Sequence, residues 1–300
     1  LLDLDKTLGD YLTAVDSTKA KLKLKQLLTH QAGLLSWIPF YKYTLTEEGF
    51  CDSNYCYKPN TSFSLQVAND LYLKETYRDT IWKTIHDSEV KESGEYRYSD
   101  LGFLYLKRIV DSTIRQDFKD YLSKNFYEPI GMNNTGYLPR EEFKLDRIVP
   151  TEDDDYFRNQ LIHGYVHDPA AAMLGGVAGN AGLFSNANEM AKLMQMFLNK
   201  EDNRKGLGFD KPETDPEKIS PSSWLASDRT FGHTGFTGTC VWADPKHELT
   251  YIFLSNRVHP TSNNKKLVKM DIRTDIQKAI YESFLDEATI EERLPDKKKD

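Results

Sequence analysis

Phe231-Gly232-His233-Thr234-Gly235-Phe236-Thr237-Gly238 sets a His-Thr pair between glycines. The residues from Thr234 to Ala243 favour extended structure, so the pair reads as part of a strand. Missing side chains at 232 and 235 would let a ligand lie close to its backbone. A second β-rich run, Leu249 to Asn256, follows Asp244-Pro245-Lys246-His247-Glu248, whose composition suits a hairpin turn. The two runs are predicted to be antiparallel neighbours. Beyond them, Ile272, Ile276, Ala279, Ile280 and Phe284 recur at helical spacing, which predicts a helix from about Met270 to Leu285 with these residues inward. Residues 286–300 read as a tail, with Asp296 to Asp300 disordered.

Towards the N-terminus, Met190, Leu193, Met194, Phe197 and Leu198 form the strongest amphipathic pattern in the chain, preceded by an Asn186–Glu189 pair suited to capping. Phe118, Tyr121, Leu122 and Phe126 predict a helix ended by Pro129 and Gly131. Another is expected from Leu101 through Ile109, with Ser99 or Asp100 placed to cap its first turn. Asn69 to His86 reads as a helix with Leu71, Ile81 and Ile85 partly buried. Leu22 to Gln31 reads as a short helix closed by a left-handed Gly33. Residues 36–65, rich in Tyr, Asn, Ser and Pro, read as a surface excursion bordering a binding site. The expected organisation is one domain over 1–300, mostly helical from about 22 to 205, with strands and the terminal helix from about 206 to 285.

The chain's 300 residues suffice for one large core. Its net charge of −7 comes from interspersed acids and bases, which leaves no footprint for nucleic acid or an anionic membrane. No apolar run is long enough to span a bilayer, and Leu1 to Asp10 lacks the pattern of a signal peptide. Three cysteines are too few for a disulfide framework. Cys51 and Cys56 could pair in an oxidising environment, and Cys240, beside Val241 and Trp242, is expected to be a buried thiol.

A second cluster, Gly94-Glu95-Tyr96-Arg97-Tyr98-Ser99-Asp100, feeds a tyrosine and a polar pair into a helix start. In this order the two clusters resemble the second and third motifs of the serine β-lactamases and penicillin-binding proteins, whose signature is Ser-x-x-Lys, Ser-Asp-Asn and Lys-Thr-Gly. In the class C, D-Ala-D-Ala carboxypeptidase and esterase branches the second motif looks like Tyr-x-Asn and the third can begin with His. Other phrases fit that branch. They are Leu27-Leu28-Thr29-His30-Gln31-Ala32-Gly33-Leu34, Pro129-Ile130-Gly131-Met132, and Val166-His167-Asp168 leading into Gly175-Gly176-Val177-Ala178-Gly179-Asn180-Ala181-Gly182-Leu183-Phe184-Ser185.

The resemblance implies an α+β fold, an antiparallel sheet flanked by helices beside a mostly helical region. It also implies a serine hydrolase working through an acyl-enzyme on D-Ala peptides, β-lactams or small esters, without metal or other cofactor. Tyr98 would be general base or proton relay, a role that needs nearby cations to lower the phenol's pKa. His233 would line the substrate strand, and the Phe236 backbone N–H would supply half of the oxyanion hole. Asp100, Thr234, Gly235 and His167 would contact substrate. Tyr98 and the His233–Gly235 edge are expected to face a common groove. Where the family often has lysine, His233 is fully charged only in acid, so anion recognition should weaken as pH rises. Asp100 replaces an asparagine that can donate to a substrate amide, which an ionised aspartate cannot; capping the following helix is its alternative role.

The nucleophile is expected to lie upstream. Ser88-Glu89-Val90-Lys91 and Ser262-Asn263-Asn264-Lys265 match Ser-x-x-Lys, but chance supplies about as many matches, and neither precedes the tyrosine motif by the family's long interval. Leu1-Leu2-Asp3-Leu4-Asp5-Lys6 looks like text that follows the nucleophile helix. The chain is therefore expected to be an inactive, N-terminally truncated piece, with its first strands and nucleophile helix missing and a fused domain possible upstream. An exported, periplasmic or envelope location follows from the family, and a noncatalytic module binding cell-wall peptide or a partner domain is the competing reading. His163, His167 and Asp168 could suggest a metal, but Gly164 and Pro169 break the helix that would align them. Glu152-Asp153-Asp154-Asp155 lacks a calcium loop's spacing and reads as a solvated charge run.

Overall fold

Leu8, Leu24 and Leu27 sink into one core from two short helices, α1 (Leu8–Tyr11) and α2 (Leu24–Leu28). Gly33 follows α2 with φ +72°, and a Cβ there would lie 2.2 Å from the Lys91 carbonyl oxygen, so backbone and space both demand glycine. The structure is a computed structural model that describes residues 2–47, 49–50, 53–198, 207–213, 215 and 218–293. It divides into two compact units, Leu1–Phe184 and Ser185–Asp300.

The first unit carries seven short strands as well as helices. β1 (Leu45–Thr46) pairs with β2 (Gly49–Phe50), and β3 (Tyr55–Cys56), β4 (Leu65–Ala68) and β5 (Leu71–Leu73) form an antiparallel sheet in the order β3-β5-β4. The stretch 36–65, expected as a surface excursion, keeps residues 57–62 exposed but sends part of its length into the core. Phe40, Tyr41 and Tyr55 are buried, and the Tyr55 hydroxyl lies 2.8 Å from that of buried Thr44. Cys51 lies outside the described residues, and with it the pairing expected for Cys56.

The helix expected from Asn69 to His86 splits. Asn69-Asp70, with Asp70 at φ +48°, turns β4 back along β5, and helix begins only at α3 (Tyr77–Asp87). Asn-Asp between two apolar runs is hairpin chemistry, and it overrides the helical spacing of Leu71. Next come α4 (Asp100–Ile114) and α5 (Phe118–Leu122), the latter continued by a π turn and a 3-10 turn that end at left-handed Gly131. Lys19 is almost fully buried. Its ammonium donates to the carbonyls of His86 and Ser88 where α3 ends, at 2.7 and 2.6 Å, and pairs with Asp16.

The acidic run is not a solvated patch. β6 (Pro150–Asp154) pairs with β7 (Gln160–His163), and strand alternation turns Glu152 and Asp154 inward while Asp153 faces solvent. Asp154 accepts from Arg158 Nε at 2.6 Å, both side chains being fully buried, and Arg158 donates its other nitrogens to the carbonyls of Val166 and His167. α6 (Pro169–Met173) follows.

The second unit begins with α7 (Ala187–Leu198), capped by Asn186, whose Oδ1 accepts from Glu189 N at 3.0 Å. Its sheet is antiparallel in the order β10-β9-β8, with β8 (Phe231–Thr234), β9 (Cys240–Asp244) and β10 (Leu249–Phe253). The run read as one strand from Thr234 to Ala243 is broken by a turn at 235–239. The hairpin after Asp244 forms as expected. Cys240 is buried, which pushes its thiol up to about 11.

α8 (Lys266–Lys269) precedes α9 (Ile272–Glu282), whose buried face is rotated from the expected one. Gln277 and Tyr281 are inside, whereas Ile276 and Phe284 are substantially exposed. The cause is polar: the Tyr281 hydroxyl donates to Asp244 at 2.7 Å, and Gln277 accepts from Ser223 N at 2.8 Å. The expected tail contains a further helix, α10 (Glu287–Glu292), capped by Asp286; Asp296 to Asp300 lie outside the described residues.

Candidate active site

Tyr98 and Asp100 sit where an extended segment enters α4. Four hydrogen bonds fix that entry. Arg97 N donates to His30 O at 2.7 Å, Ser99 N to His30 Nδ1 at 3.1 Å, Ser99 Oγ to Leu35 O at 2.6 Å, and Asp100 N to Ser36 O at 2.8 Å. The segment after α2 thus binds the motif on both sides. His30 is buried, has φ +55°, and its ring centroid lies 4.6 Å from that of Tyr98. Accepting at Nδ1 places the neutral imidazole's proton on Nε2. Sequence reasoning quoted His30 but gave it no role, because the role depends on a contact across 69 residues.

Tyr98 is 42% exposed, and its phenol donates to Asp100 Oδ1 at 3.0 Å. Ser99 occupies the N-cap position of α4, but its hydroxyl goes to Leu35 instead of the helix amides. Asp100 also lines a small, mostly apolar pocket with Trp37, Tyr41, Leu101, Leu104 and Asp168. Asp168 caps α6, its Oδ1 accepting from Ala171 N at 2.7 Å and from Asn180 Nδ2 at 3.3 Å. The glycine-rich loop lies against α4, where a Cβ on Gly179 would meet the Phe103 carbonyl oxygen at 2.1 Å.

His167 Nε2 lies 2.8 Å from Glu152 Oε2, a carboxylate that is itself buried. This partner holds the ring within the first unit's interior. His163 Nε2 lies 2.5 Å from the Ile148 carbonyl oxygen. Each histidine therefore has its own partner, and among the described residues no group of three or more His, Cys, Asp or Glu is arranged to hold a metal ion.

In the second unit, His233 and Thr234 end β8. His233 pairs with Val241 and Thr234 with Cys240 across the ladder. The other edge of β8 meets Asp210, which exchanges backbone hydrogen bonds with Gly232 at 2.7 and 3.1 Å. The Asp210 carboxylate lies 3.7 Å from His233 Nε2, and His233 Nδ1 lies 2.7 Å from the Thr234 carbonyl oxygen. Protein atoms fill the side of these glycines on which a Cβ would stand. A Cβ on Gly232 would fall 2.1 Å from Val241 O and strike the Trp242 ring, and one on Gly235 would fall 2.2 Å from Thr239 Oγ1.

Gly235 opens the turn, its N donating to Thr239 O at 2.8 Å, and Arg273 donates to the carbonyls of Gly235 and Thr239. Phe236 is 59% exposed at the turn's tip, with the Arg257 guanidinium 4.4 Å from its ring centroid. Arg257 is buried and donates to the carbonyls of Ser262 and Asn264. Neither Asp210 nor Arg257 was singled out from the sequence, because each reaches the motif from a distant turn.

Residues 1–271 match the family described as Beta-lactamase. The chain belongs to the Beta-lactamase family. A protein of Escherichia coli (strain K12) named "Putative D-alanyl-D-alanine carboxypeptidase" is 33% identical over 213 residues, covering 59% of this chain and 49% of that protein. The N-acetylmuramyl-L-alanine amidase of Bacillus subtilis (strain 168) is 28% identical over 274 residues, covering 80% of this chain and 57% of that one. The chain spans about half the length of the curated relatives it matches. Among solved structures, the β-lactamase/D-alanine carboxypeptidase of Yersinia pestis complexed with citrate aligns with TM-score 0.56 at 16% identity, over 94% of this chain and 76% of that one. A penicillin-binding protein of Bacillus halodurans aligns with TM-score 0.53 at 16% identity, over 90% and 78%. These structural likenesses concern the fold, which is the expected β-lactamase/transpeptidase-like arrangement of helices and small antiparallel sheets.

Proposed function

We propose that the full-length protein is a serine hydrolase that works through an acyl-enzyme on D-alanyl peptides of the cell wall, with β-lactams or small esters as further acylating substrates. The observation that carries this reading is an exposed phenol, Tyr98, on a segment that four hydrogen bonds hold in place, in a chain of the Beta-lactamase family. The names of the carboxypeptidase and amidase relatives point to peptidoglycan as the substrate class. An exported, periplasmic or envelope location goes with that substrate. Among the described residues no helix is long and apolar enough to cross a membrane.

The roles follow from what acyl transfer requires: a nucleophile, a route for its proton, and donors aimed at the developing oxyanion. Tyr98 supplies the proton route. The Phe236 backbone N–H supplies one oxyanion donor, and the segment from His233 to Gly235 binds the acyl group. Asp100 and His167 act on the substrate side of the first unit, His167 by anchoring the segment that leads to Asp168. The nucleophilic serine and its lysine come from sequence outside these 300 residues, together with any fused domain, and this piece alone is inactive. Ser88 supports that view because it ends α3 instead of opening a helix, its Oγ donating to Ile85 O at 2.7 Å. Ser262 lies in a turn before α8.

The position of these two serines also favours a second reading, a noncatalytic module that binds cell-wall peptide or a partner domain. Incubating the full-length protein with a fluorescent penicillin and with an activated ester, followed by intact-mass analysis, decides between them. A covalent adduct on a serine supports the hydrolase. No adduct with either reagent, alongside retained binding of a D-Ala peptide, supports the module.

A further inference from the structure

Gly235 and Phe236 share one peptide group, in which the carbonyl belongs to the glycine and the N–H to the phenylalanine. The bond is trans, so its oxygen and hydrogen point in opposite directions, and whatever holds the oxygen aims the hydrogen. Two donors hold it. Gly238 N donates to Gly235 O at 3.0 Å from within the turn, and Arg273 Nη1 donates from α9 at 3.4 Å. The same Nη1 donates to Thr239 O at 2.9 Å, the carbonyl that accepts from Gly235 N, so one charged nitrogen bridges both ends of the turn. The Arg273 backbone is tied to the sheet in its own right, its carbonyl accepting from the Tyr251 hydroxyl at 3.0 Å. Arg257 plays a different part. Its guanidinium donates to the carbonyls of Ser262 and Asn264 and covers the Phe236 ring, and it reaches the turn through its backbone N, which donates to Thr237 O at 3.0 Å.

We infer that Arg273 is a positioning residue for the oxyanion donor: it fixes the direction of the Phe236 N–H and, by placing its charge on the Gly235 oxygen, strengthens that N–H as a donor. The inference rests on the serine-hydrolase reading. A cation at the carbonyl oxygen draws electron density along the conjugated O–C–N unit and leaves the N–H more positive. In acylation the nucleophile's oxygen bonds to the acyl carbon and its proton leaves by the Tyr98 route, while the carbonyl π pair moves onto the acyl oxygen, where the Phe236 N–H meets it. On collapse the pair returns, the bond to the leaving group breaks, and the proton departs with the amine or alcohol. Arg273 touches no reacting atom. Its effect grows as negative charge develops, so it lowers the barrier without tightening the ground-state complex.

Arg273→Gln keeps a side-chain donor without the charge, and Arg273→Lys keeps the charge without the planar fork. In the full-length protein carrying carbonyl-¹³C glycine and ¹⁵N phenylalanine, the Gly–Phe bonds at Gly49–Phe50, Gly102–Phe103, Gly208–Phe209 and Gly235–Phe236 each give one NMR correlation, and the last is identified by its loss in Phe236→Leu. In Arg273→Gln the Gly235 carbon and the Phe236 amide proton should both move upfield while the Gly49 and Gly102 correlations stay in place. Acylation by an activated ester should slow about 10- to 10²-fold with the affinity of the noncovalent complex little changed, short of the roughly 10²- to 10³-fold loss on removing an oxyanion donor outright. Arg273→Lys should fall between parent and Arg273→Gln in both measurements. An unmoved Gly235–Phe236 correlation in Arg273→Gln overturns the inference, as does a moved correlation with parent-like acylation. Should Arg273→Gln not fold, Arg273→Lys decides alone: linked partial losses uphold the inference, and a change in one measurement without the other, or in neither, overturns it. A parent that never acylates, alongside the expected movement of the correlation, sinks the hydrolase reading and upholds the polarised peptide.

Discussion

The entry to α4 and the end of β8 carry the two motifs, and they are held in opposite ways. Tyr98 and Asp100 are positioned by His30, Leu35 and Ser36, more than sixty residues earlier in the chain. His233 and Thr234 are positioned first by the strand that follows them, and their turn is closed by Gly235 and Thr239, with Asp210 on the strand's other edge and Arg257 and Arg273 bracing the turn. A motif held from afar fails when the core around it fails. A motif held by its own hairpin depends on local register, and the two should respond to different perturbations.

The largest effect should come from the first unit's buried ion pair. Arg158→Met leaves Asp154 charged in the interior without its counter-ion, with only the Tyr156 and Phe157 amides donating to it, and frees the Val166 and His167 carbonyls, which should cost about 3–5 kcal/mol. Urea unfolding measures the loss, and hydrogen exchange should show weakened protection in α4 before β8–β10. Equal weakening of both would break the comparison.

The second unit has its own buried hub. Burial alone would raise the pKa of Asp244, but hydrogen bonds from the Ser227 side chain, His247, Ser227 N and Tyr281 outweigh it and hold the carboxyl well below the usual carboxylate range. A depressed folded pKa stabilises the fold above the unfolded value of about 3.9, and that stability is lost as pH falls through the folded value. Acid titration followed by the near-ultraviolet signal of Trp242 should show the second unit's stability declining below about pH 4. Asp244→Asn should flatten that decline.

A smaller effect is expected at His30. His30→Ala removes the acceptor of Ser99 N and should cost about 1–3 kcal/mol by leaving a buried amide unpaired. Broadened NMR signals at Tyr98 with unchanged signals at His233 would sharpen the distinction. The smallest is Asp153→Ala, on the solvent face of the strand that buries Asp154. It should change stability by no more than about 0.5 kcal/mol, and a larger loss would mean that β6 is paired differently.

The same contrast explains what the sequence disclosed. Elements stabilised by near neighbours were legible: α7 with its Asn186 cap, the β9–β10 hairpin, and left-handed Gly33. So were both motifs, as strings of residue types. Elements decided by distant partners were not. The acidic run looked solvated because a string of acids does not show the β6–β7 pairing that turns Asp154 inward, nor the Val166 and His167 carbonyls that hold its partner Arg158 there. Helical spacing at α9 pointed to Ile276 and Phe284, yet Asp244 and Ser223 draw Tyr281 and Gln277 inward instead. At Gly232 the place of a Cβ is filled by the Trp242 ring of the neighbouring strand, a contact that the glycine spacing does not reveal.

Lys19 offers a practical handle on the first unit. With its ammonium enclosed and bound to the two carbonyls that finish α3, it cannot meet an amine-reactive reagent unless the surrounding layer opens. Its neighbours Lys21 and Lys23 are exposed and will label at once. The lag between them, read by peptide mass spectrometry, is a clock for the opening of the half of the molecule that carries Tyr98.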